Sequence, residues 1–410
     1  MATLSRTPRY ALNQELLTCR PIHSFISHLS KLTMKIADIV AYPVTVPVPP
    51  QYQVSLGIGR MVKRDTVIVK VTTDEGIVGW GESHHGRAHL AIAMLVNTTL
   101  KQLVADLEAT DVNGVWSQIY RYQLASHGMG AACAAAMSGI DMALWDIRGK
   151  ATGWPLYRLL GGTSRSVPAY AGGICLGFQT PSALLEEVET MVRRGYKAIK
   201  LRLGDSPAND IARVAAVREA YPELDILTDA NTAYSLRDFR MVAPHLDAAH
   251  VGWLEEPFPA HDYRSYREAK KMCRFALAGG ENHFTRFEFA QLIDAESITI
   301  LQPDLSKVGG ISEAMKVATM ASVQKLPVHC HSSMGINMAA TLHVLSAIDN
   351  AGYFEADCSL YNPLRDDLID FSFAINADGT LRPSEKPGIG IEINEDFIKH
   401  HAGSSGPGFV

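Results

Sequence analysis

Along the 410-residue chain the spacing of hydrophobic positions changes character twice. Near the start, Met34-Lys35-Ile36-Ala37-Asp38-Ile39-Val40 reads as a strand. Val67-Ile68-Val69-Lys70-Val71, the turn Asp74-Glu75-Gly76 and Val78-Gly79-Trp80-Gly81-Glu82 then predict a hairpin with an acidic, glycine-containing turn. Leu90–Leu107, Ala131–Lys150 and Pro155–Leu160 show helical spacing instead. Strands followed by helices predict an α+β domain over residues 34–161.

From Val167 onward the pattern becomes a strict alternation of short apolar runs and amphipathic segments. Eight runs fit strands: Val167–Ala171, Ala198–Leu203, Asp225–Asp229, Val251–Glu255, Phe275–Ala278, Ile298–Leu301, Leu326–Cys330 and Tyr353–Glu355. Between the first two, Ser182–Arg194 sets Leu185, Val188, Met191 and Val192 on one helical face. Strand–helix alternation predicts a parallel sheet, and eight units predict a closed α/β barrel over residues 162–365. An open doubly wound sheet fits less well, because no Gly-x-Gly-x-x-Gly follows the first strand. Residues 366–410 return to β-like runs, Phe371–Ile375 and Ile389–Ile393, around an Asp378-Gly379 turn. They are expected to fold back on the first domain.

Composition narrows the function classes. The chain is 47% hydrophobic and 20% charged, the profile of a soluble globular protein. Its net charge of -5 comes without a basic stripe, which argues against nucleic acid as a partner. No run of 18 apolar residues offers a membrane span. Cys19, Cys133, Cys175, Cys273, Cys330 and Cys358 are scattered without a Cys-x-x-Cys pair, as expected of reduced thiols in a cytoplasmic protein. Residues 1–33 carry Arg6, Arg9, Arg20 and Lys31 against the single acid Glu15. That resembles a transit-peptide composition, but the strand start at Met34 favours a loose extension or an overlong start.

The polar residues that end the barrel strands carry the chemistry, since sites in such barrels form where strands pass into loops. In order they read Lys200-Leu201-Arg202, Asp229-Ala230-Asn231, Glu255-Glu256-Pro257, Gly280-Glu281-Asn282, Gln302-Pro303-Asp304, His329-Cys330-His331 and Glu355-Ala356-Asp357. Asp229, Glu255 and Glu281 are separated by 26 residues each, one barrel repeat, so three neighbouring strands each deliver a carboxylate. Taken singly each is an ordinary solvated loop acid. Converging in phase, they would repel unless a cation sits among them, and an all-oxygen set selects Mg²⁺ over zinc. Asp304 and His331 end adjacent strands, and a carboxylate beside an imidazole makes a general base. His329 shares that side of its strand but lies deeper and reads as structural. Lys200 and Arg202 can hold an anionic substrate, and Lys200 can instead move protons. Glu355 is placed to hydrogen-bond a substrate carboxylate. The loops Pro47–Met61 and Ser83-His84-His85-Gly86-Arg87 are candidates for specificity, with His85 or Arg87 holding hydroxyls or a second carboxylate.

The order Lys-x-Arg, Asp-x-Asn, Glu-Glu-Pro, Gly-Gly-Glu-Asn, Gln-Pro-Asp-x-x-x-x-Gly-Gly and His-x-Ser resembles the mandelate racemase subgroup of the enolase superfamily. So does Ser138-Gly139-Ile140-Asp141-Met142-Ala143-Leu144-Trp145-Asp146 with Gly149-Lys150. The resemblance runs from Met34 to about Asn394. It implies a modified TIM (β/α)7β barrel with an N-terminal α+β capping domain, and one Mg²⁺ per subunit on Asp229, Glu255 and Glu281. It also implies an Asp304–His331 base dyad, Lys200 on the substrate, Glu355 donating to the substrate carboxylate and Asn231 lining the site. A small-molecule carboxylate substrate and a homo-oligomer, dimer or octamer, follow from the same likeness. One position departs from the family pattern: Arg202 stands where a second lysine usually acts as base, and a guanidinium stays protonated. Loss of that base favours dehydration of a sugar acid, aldonate or aldarate, to a 2-keto-3-deoxy acid. Racemisation, epimerisation or lactone cycloisomerisation is the alternative. A metal-dependent barrel hydrolase is disfavoured, since it usually uses histidine ligands that this trio lacks.

Overall fold

The computed structural model describes residues 33–332, 334–403 and 406–410. All but the last residue of the expected extension at 1–33 therefore lies outside the described residues. In the capping domain, Lys63–Thr73 pairs antiparallel with Ile36–Pro47 on one side and Val78–Ser83 on the other. The helix Gly130–Thr152 lies across this sheet and buries Ile140, Met142, Ala143, Leu144 and Ile147 completely. The approach is close because both surfaces are bare. A Cβ at Gly81 would stand 2.0 Å from the Gly139 carbonyl, and one at Gly79 would stand 2.1 Å from the Ala143 carbonyl. Gly81→Ala is thus expected to cost about 2 kcal/mol or more in chemical denaturation, as overpacked contacts do. An unchanged midpoint would show that the helix can shift without cost.

One helical expectation needs correction, and one helix was not expected. Leu90–Leu107 is three pieces, His89–Leu95, a π turn Val96–Leu100 and Lys101–Val104. The π turn sets the Asn97 amide against the first strand, where it accepts from Ala41 N at 2.7 Å and donates to Ala41 O at 2.8 Å. The hydrophobic period did not mark a further helix, Val112–Ile119, which Asp111 caps by accepting from Gly114 N at 3.0 Å.

The second sheet is parallel and ordered Ile300–Leu301, Ala276–Gly279, Trp253–Glu255, Asp225–Asp229, Ala198–Arg202, Val167–Gly172, Phe354–Asp357. Single bridges from Val328 to Leu301 and to Ala351 close the ring. The strands lie within or beside the eight apolar runs of the sequence. Tyr170, Ala198, Leu227, Trp253, Ala278 and Ile300 pack together as a separate cluster on these strands. Outside, helices start where capping residues precede them. Thr180 with Pro181, Ser206 with Pro207, and Ser235 with Asp238 each satisfy a free backbone N–H of the first turn. Helix Pro181–Arg193 buries Leu184, Val188 and Met191, with Leu185 and Val192 half-buried beside them.

The tail is not the pair of strands its alternation suggested. Phe371 and Phe373 pack edge to face at 4.9 Å without a bonded neighbour strand among the described residues, and positive φ at Gly388 and Gly390 breaks the second run. Instead Thr380–Leu381 pairs antiparallel with Val167–Pro168 of the barrel. Further on the chain meets the capping domain, through Ile389 N on Asp146 at 2.9 Å, Lys70–Glu395 at 2.8 Å and paired backbone bonds between Arg60 and Val410. The five described cysteines are all free, and no helix among the described residues is long and apolar enough to cross a membrane.

Candidate active site

Parallel register brings the strand-end side chains together. Arg202 is opposite Asp229, and Asp229 opposite Glu255. Lys200, wholly buried, stands 5.4 Å above the Tyr170 ring. Its Nζ reaches Glu255 at 2.9 Å, Glu355 at 2.9 Å and Asp229 at 3.6 Å. Burial works against its charge, but Glu255 and Glu355 hold its pKa well above the ordinary value. Arg202 donates to Asp229 and to the Gly173 carbonyl, and likewise keeps its proton. Asn231, in left-handed backbone at φ 44°, bonds both Asp229 oxygens.

On the other side, His331 Nδ1 is 2.6 Å from Asp304 Oδ2, and Nε2 is 2.8 Å from Glu281 Oε2. Asp304 is fixed in turn by Ser306 and by Asn337, whose Nδ2 lies 3.0 Å from Oδ1. Burial alone would lower the His331 pKa, but Glu281, Glu355 and the Asp304 bond raise it well above the ordinary imidazole value. Glu355 spans the two halves, 2.9 Å from Lys200 and 4.0 Å from His331. Lys200, His331 and Arg202 overcome its burial and bring its pKa to about 2. In this arrangement Glu355 accepts hydrogen bonds, from Gly173 N at 3.1 Å and Ser332 N at 3.3 Å, and has no proton to donate to a substrate carboxylate.

The acids Asp229, Glu255 and Glu281 do not stand as a ready ion cage. Among the described residues no group of three His, Cys, Asp or Glu is drawn together closely enough to hold a metal. Each is paired with a protein cation instead: Asp229 with Arg202, Glu255 with Lys200, and Glu281 with His331 and Lys307. The donor chemistry nevertheless fits a hard dication. Burial first, and then Asp229, Glu355 and Glu281, pushes Glu255 up to about 7 although Lys200 opposes them, so a further cation nearby would favour its charged form. Burial and Glu281 push the adjacent Glu256 up to about 8, and its Oε1 is buried without a partner.

A cavity of about 620 Å³ opens over these groups, lined by Arg202, Asn231, Glu256, Glu281, Lys307 and His331 from the barrel. From the cap come His84, His85 and Arg87, and from the tail Phe409. His84 and His85 stack with ring centroids 4.2 Å apart. The Nδ1 of each accepts from a backbone N–H, of Gly86 and of Arg87 respectively, so Nε2 carries the proton of the neutral ring. Burial keeps both rings neutral, His85 at about 4. Arg87 donates to the Ile58 carbonyl at 3.0 Å and lies 4.6 Å over the Phe409 ring, tying loop to tail.

A family model described as the enolase C-terminal domain-like family matches residues 183–397, and one for the mandelate racemase / muconate lactonizing enzyme N-terminal domain matches residues 38–161. The chain belongs to the mandelate racemase branch of the enolase superfamily. It is 33% identical over 343 residues to an arabinonate dehydratase of Saccharolobus solfataricus, covering 82% of this chain and 90% of that one. The crystal structure of an enolase superfamily member from Polaromonas sp. JS666 shares 50% identity, covers 92% of this chain and 100% of its own, and superposes with a TM-score of 0.89. A racemase from Streptomyces coelicolor A3(2), solved with bound magnesium, is 26% identical with a TM-score of 0.81 and covers 90% and 99% of the two chains.

Within this superfamily fold, Arg202, Asn231, Glu281, His331, His85 and Arg87 line one cavity. Lys200, Asp229, Glu255, Asp304 and Glu355 join it through ion pairs with them or with each other, and His329 packs instead on Trp253. Several others were missed. Lys307, buried with Nζ 3.6 Å from Glu281 and 3.4 Å from Asn282, sits unmarked inside Gln-Pro-Asp-x-x-x-x-Gly-Gly. A lone lysine between Asp304 and the glycine pair was its only signal. Arg64 and Asp65, charges at the head of an apolar strand, carried the same kind of signal. Phe409 carried none. Phe409→Ala is expected to raise KM several-fold while shifting the melting temperature by only a few degrees, since the ring closes the cavity but is half-exposed. Unaltered KM would place the tail outside the functional cavity.

Proposed function

We propose that this superfamily member is a magnesium-dependent sugar-acid dehydratase, converting an aldonate or aldarate to a 2-keto-3-deoxy acid. The observation that carries the reading is the Asp304–His331 pair joined through Glu355 to the protonated Lys200 at one cavity floor. Similarity to an arabinonate dehydratase over most of both chains supports the same reaction class. Magnesium held by Asp229, Glu255 and Glu281 would supply the positive charge that makes a proton next to a carboxylate acidic.

The protein's own groups do the rest. Lys200 donates to the substrate carboxylate where negative charge grows as the enediolate forms. Asp304 keeps Nδ1 of His331 protonated, and Nε2, which faces Glu281 at 2.8 Å, is the nitrogen that would take the α proton when that contact is released. The C–H electron pair forms the enediolate double bond. That electron density then expels the β-hydroxyl, and Nε2–H returns its proton to the departing oxygen as water. The enol left behind ketonises to the 2-keto acid. Arg202 cannot serve as a second base, which disfavours racemisation. Incubation with Mg²⁺ and a panel of sugar acids is expected to release 2-keto acid. Epimerised substrate without keto acid would overturn the reading in favour of an epimerase.

A further inference from the structure

Glu82, next to last in the cap strand Val78–Ser83, has no part in the proposed chemistry and is only 1% exposed. Gly79 and Gly81 press against the cap helix Gly130–Thr152, so strand alternation turns Glu82 the other way, towards the barrel. There its Oε2 accepts from the backbone N–H of Asn337 at 2.9 Å, while Oε1 accepts from the Thr66 hydroxyl at 2.6 Å. Burial pushes its pKa up to about 7 against the pull of those two bonds, so a carboxylate here is costly to keep.

The contact supplies what the barrel lacks. Helix Gly335–Leu345 is preceded by Met334 and has no capping side chain of its own, unlike the helices that Thr180, Ser206 and Ser235 cap. Helix Ile311–Val323 shows the same gap, and again the cap fills it, with Asp141 Oδ2 accepting from Ser312 N at 3.0 Å. The two contacts differ in what lies beyond them. Past Asp141, the Ser312 hydroxyl meets Trp145 of the cap at 2.9 Å. Past Glu82, the Asn337 side chain donates to Asp304 Oδ1 at 3.0 Å and reaches Ser306 Oγ at 3.5 Å. Asp304 Oδ2 in turn holds His331 Nδ1 at 2.6 Å. A carboxylate on one domain thereby fixes, through a single residue, the carboxylate that orients the base on the other.

We propose that Glu82 is a positioning residue for the Asp304–His331 dyad, acting through Asn337 and tying the base to the cap. This rests on the reading above of that dyad as the base, whichever product forms. Glu82→Met keeps the length of the side chain without an acceptor. It is expected to lower kcat by about 10- to 100-fold with KM within about twofold, since a displaced base loses rate and not affinity. Glu82→Gln should recover most of the rate, because its amide can still accept from Asn337 N and donate to Thr66. A double-mutant cycle on kcat per folded protein then separates positioning from stability. Asn337→Ala removes the amide on Asp304 but keeps the backbone N–H that Glu82 holds. In that background Glu82→Met should cost no further rate while still lowering the melting temperature. Asp141→Ala should lower the melting temperature and leave kcat unchanged. If Glu82→Met does not fold, Thr66→Val, which frees Oε1, takes its place in the cycle. Rate losses that multiply, or an unchanged kcat in Glu82→Met, would overturn the positioning role and leave the dehydratase reading standing. Epimerised substrate without keto acid would overturn that reading alone, and the cycle would then be read on α-proton exchange. With no activity on any sugar acid, the His331 Nδ1–H resonance, assigned by its loss in His331→Asn, decides instead: no change in Glu82→Met rejects the proposal.

Discussion

Excess chelator is expected to abolish turnover, and Asp229→Ala or Glu281→Ala to do the same, by on the order of 10³-fold or more. A Lewis-acid cation contributes several kcal/mol at a developing carbanion, and each factor of ten is about 1.4 kcal/mol. The chelated protein should stay folded. Lys200, Arg202, Lys307 and His331 already pair with the three acids, so removing a dication leaves no naked buried carboxylate among them. Its melting temperature is therefore expected to fall by only a few degrees. Magnesium titration by calorimetry should show one site per chain, absent in Glu281→Ala. Full activity in excess chelator would sink the metal assignment.

The barrel was legible because its signal is local and repeated. Each strand is a short apolar run ending in a polar residue, and Asp229, Glu255 and Glu281 recur at the repeat length, so adjacency in space follows from spacing in sequence. Asp304 and His331 were readable for the same reason, and the structure sets them 2.6 Å apart. What stayed hidden depends on contacts between distant segments. Arg64 meets Tyr361 across 297 residues, and Phe409 enters the cavity by pairing its neighbours with Arg60 and Val62. No periodicity encodes either. The tail misled in the opposite sense: alternating apolar residues at 371–375 pack on the barrel surface as they would in a strand, but without a strand to bond. The position of Glu355 at a strand end was legible, but its protonation was not, because Lys200, His331 and Arg202 surround it only in the folded chain and hold it ionised.

His331→Asn is expected to lower kcat by about 10³-fold or more, since the amide keeps the shape and the Asp304 contact but cannot accept a proton. The stereochemistry of proton removal tests the site more sharply than the rate. Lys200, Arg202 and His331 all hold their protons among these acids. An imidazole freed from Glu281 is the easiest of the three to deprotonate, so His331 is expected to act as the single base and the α carbon to be attacked from one face. In D₂O, an analogue lacking a β leaving group should therefore exchange its α proton in one configuration and keep that configuration. His331→Asn should stop the exchange. Arg202→Lys restores a nitrogen that can lose its proton, but Asp229 and Glu355, which now hold the arginine charged, would hold a lysine charged as well. Slow epimerisation by Arg202→Lys is thus expected only with magnesium present to take Asp229 away. Exchange of both enantiomers with inversion by the unmodified protein would show that Lys200 acts as the second base. Dehydration would then no longer follow from the arginine at 202.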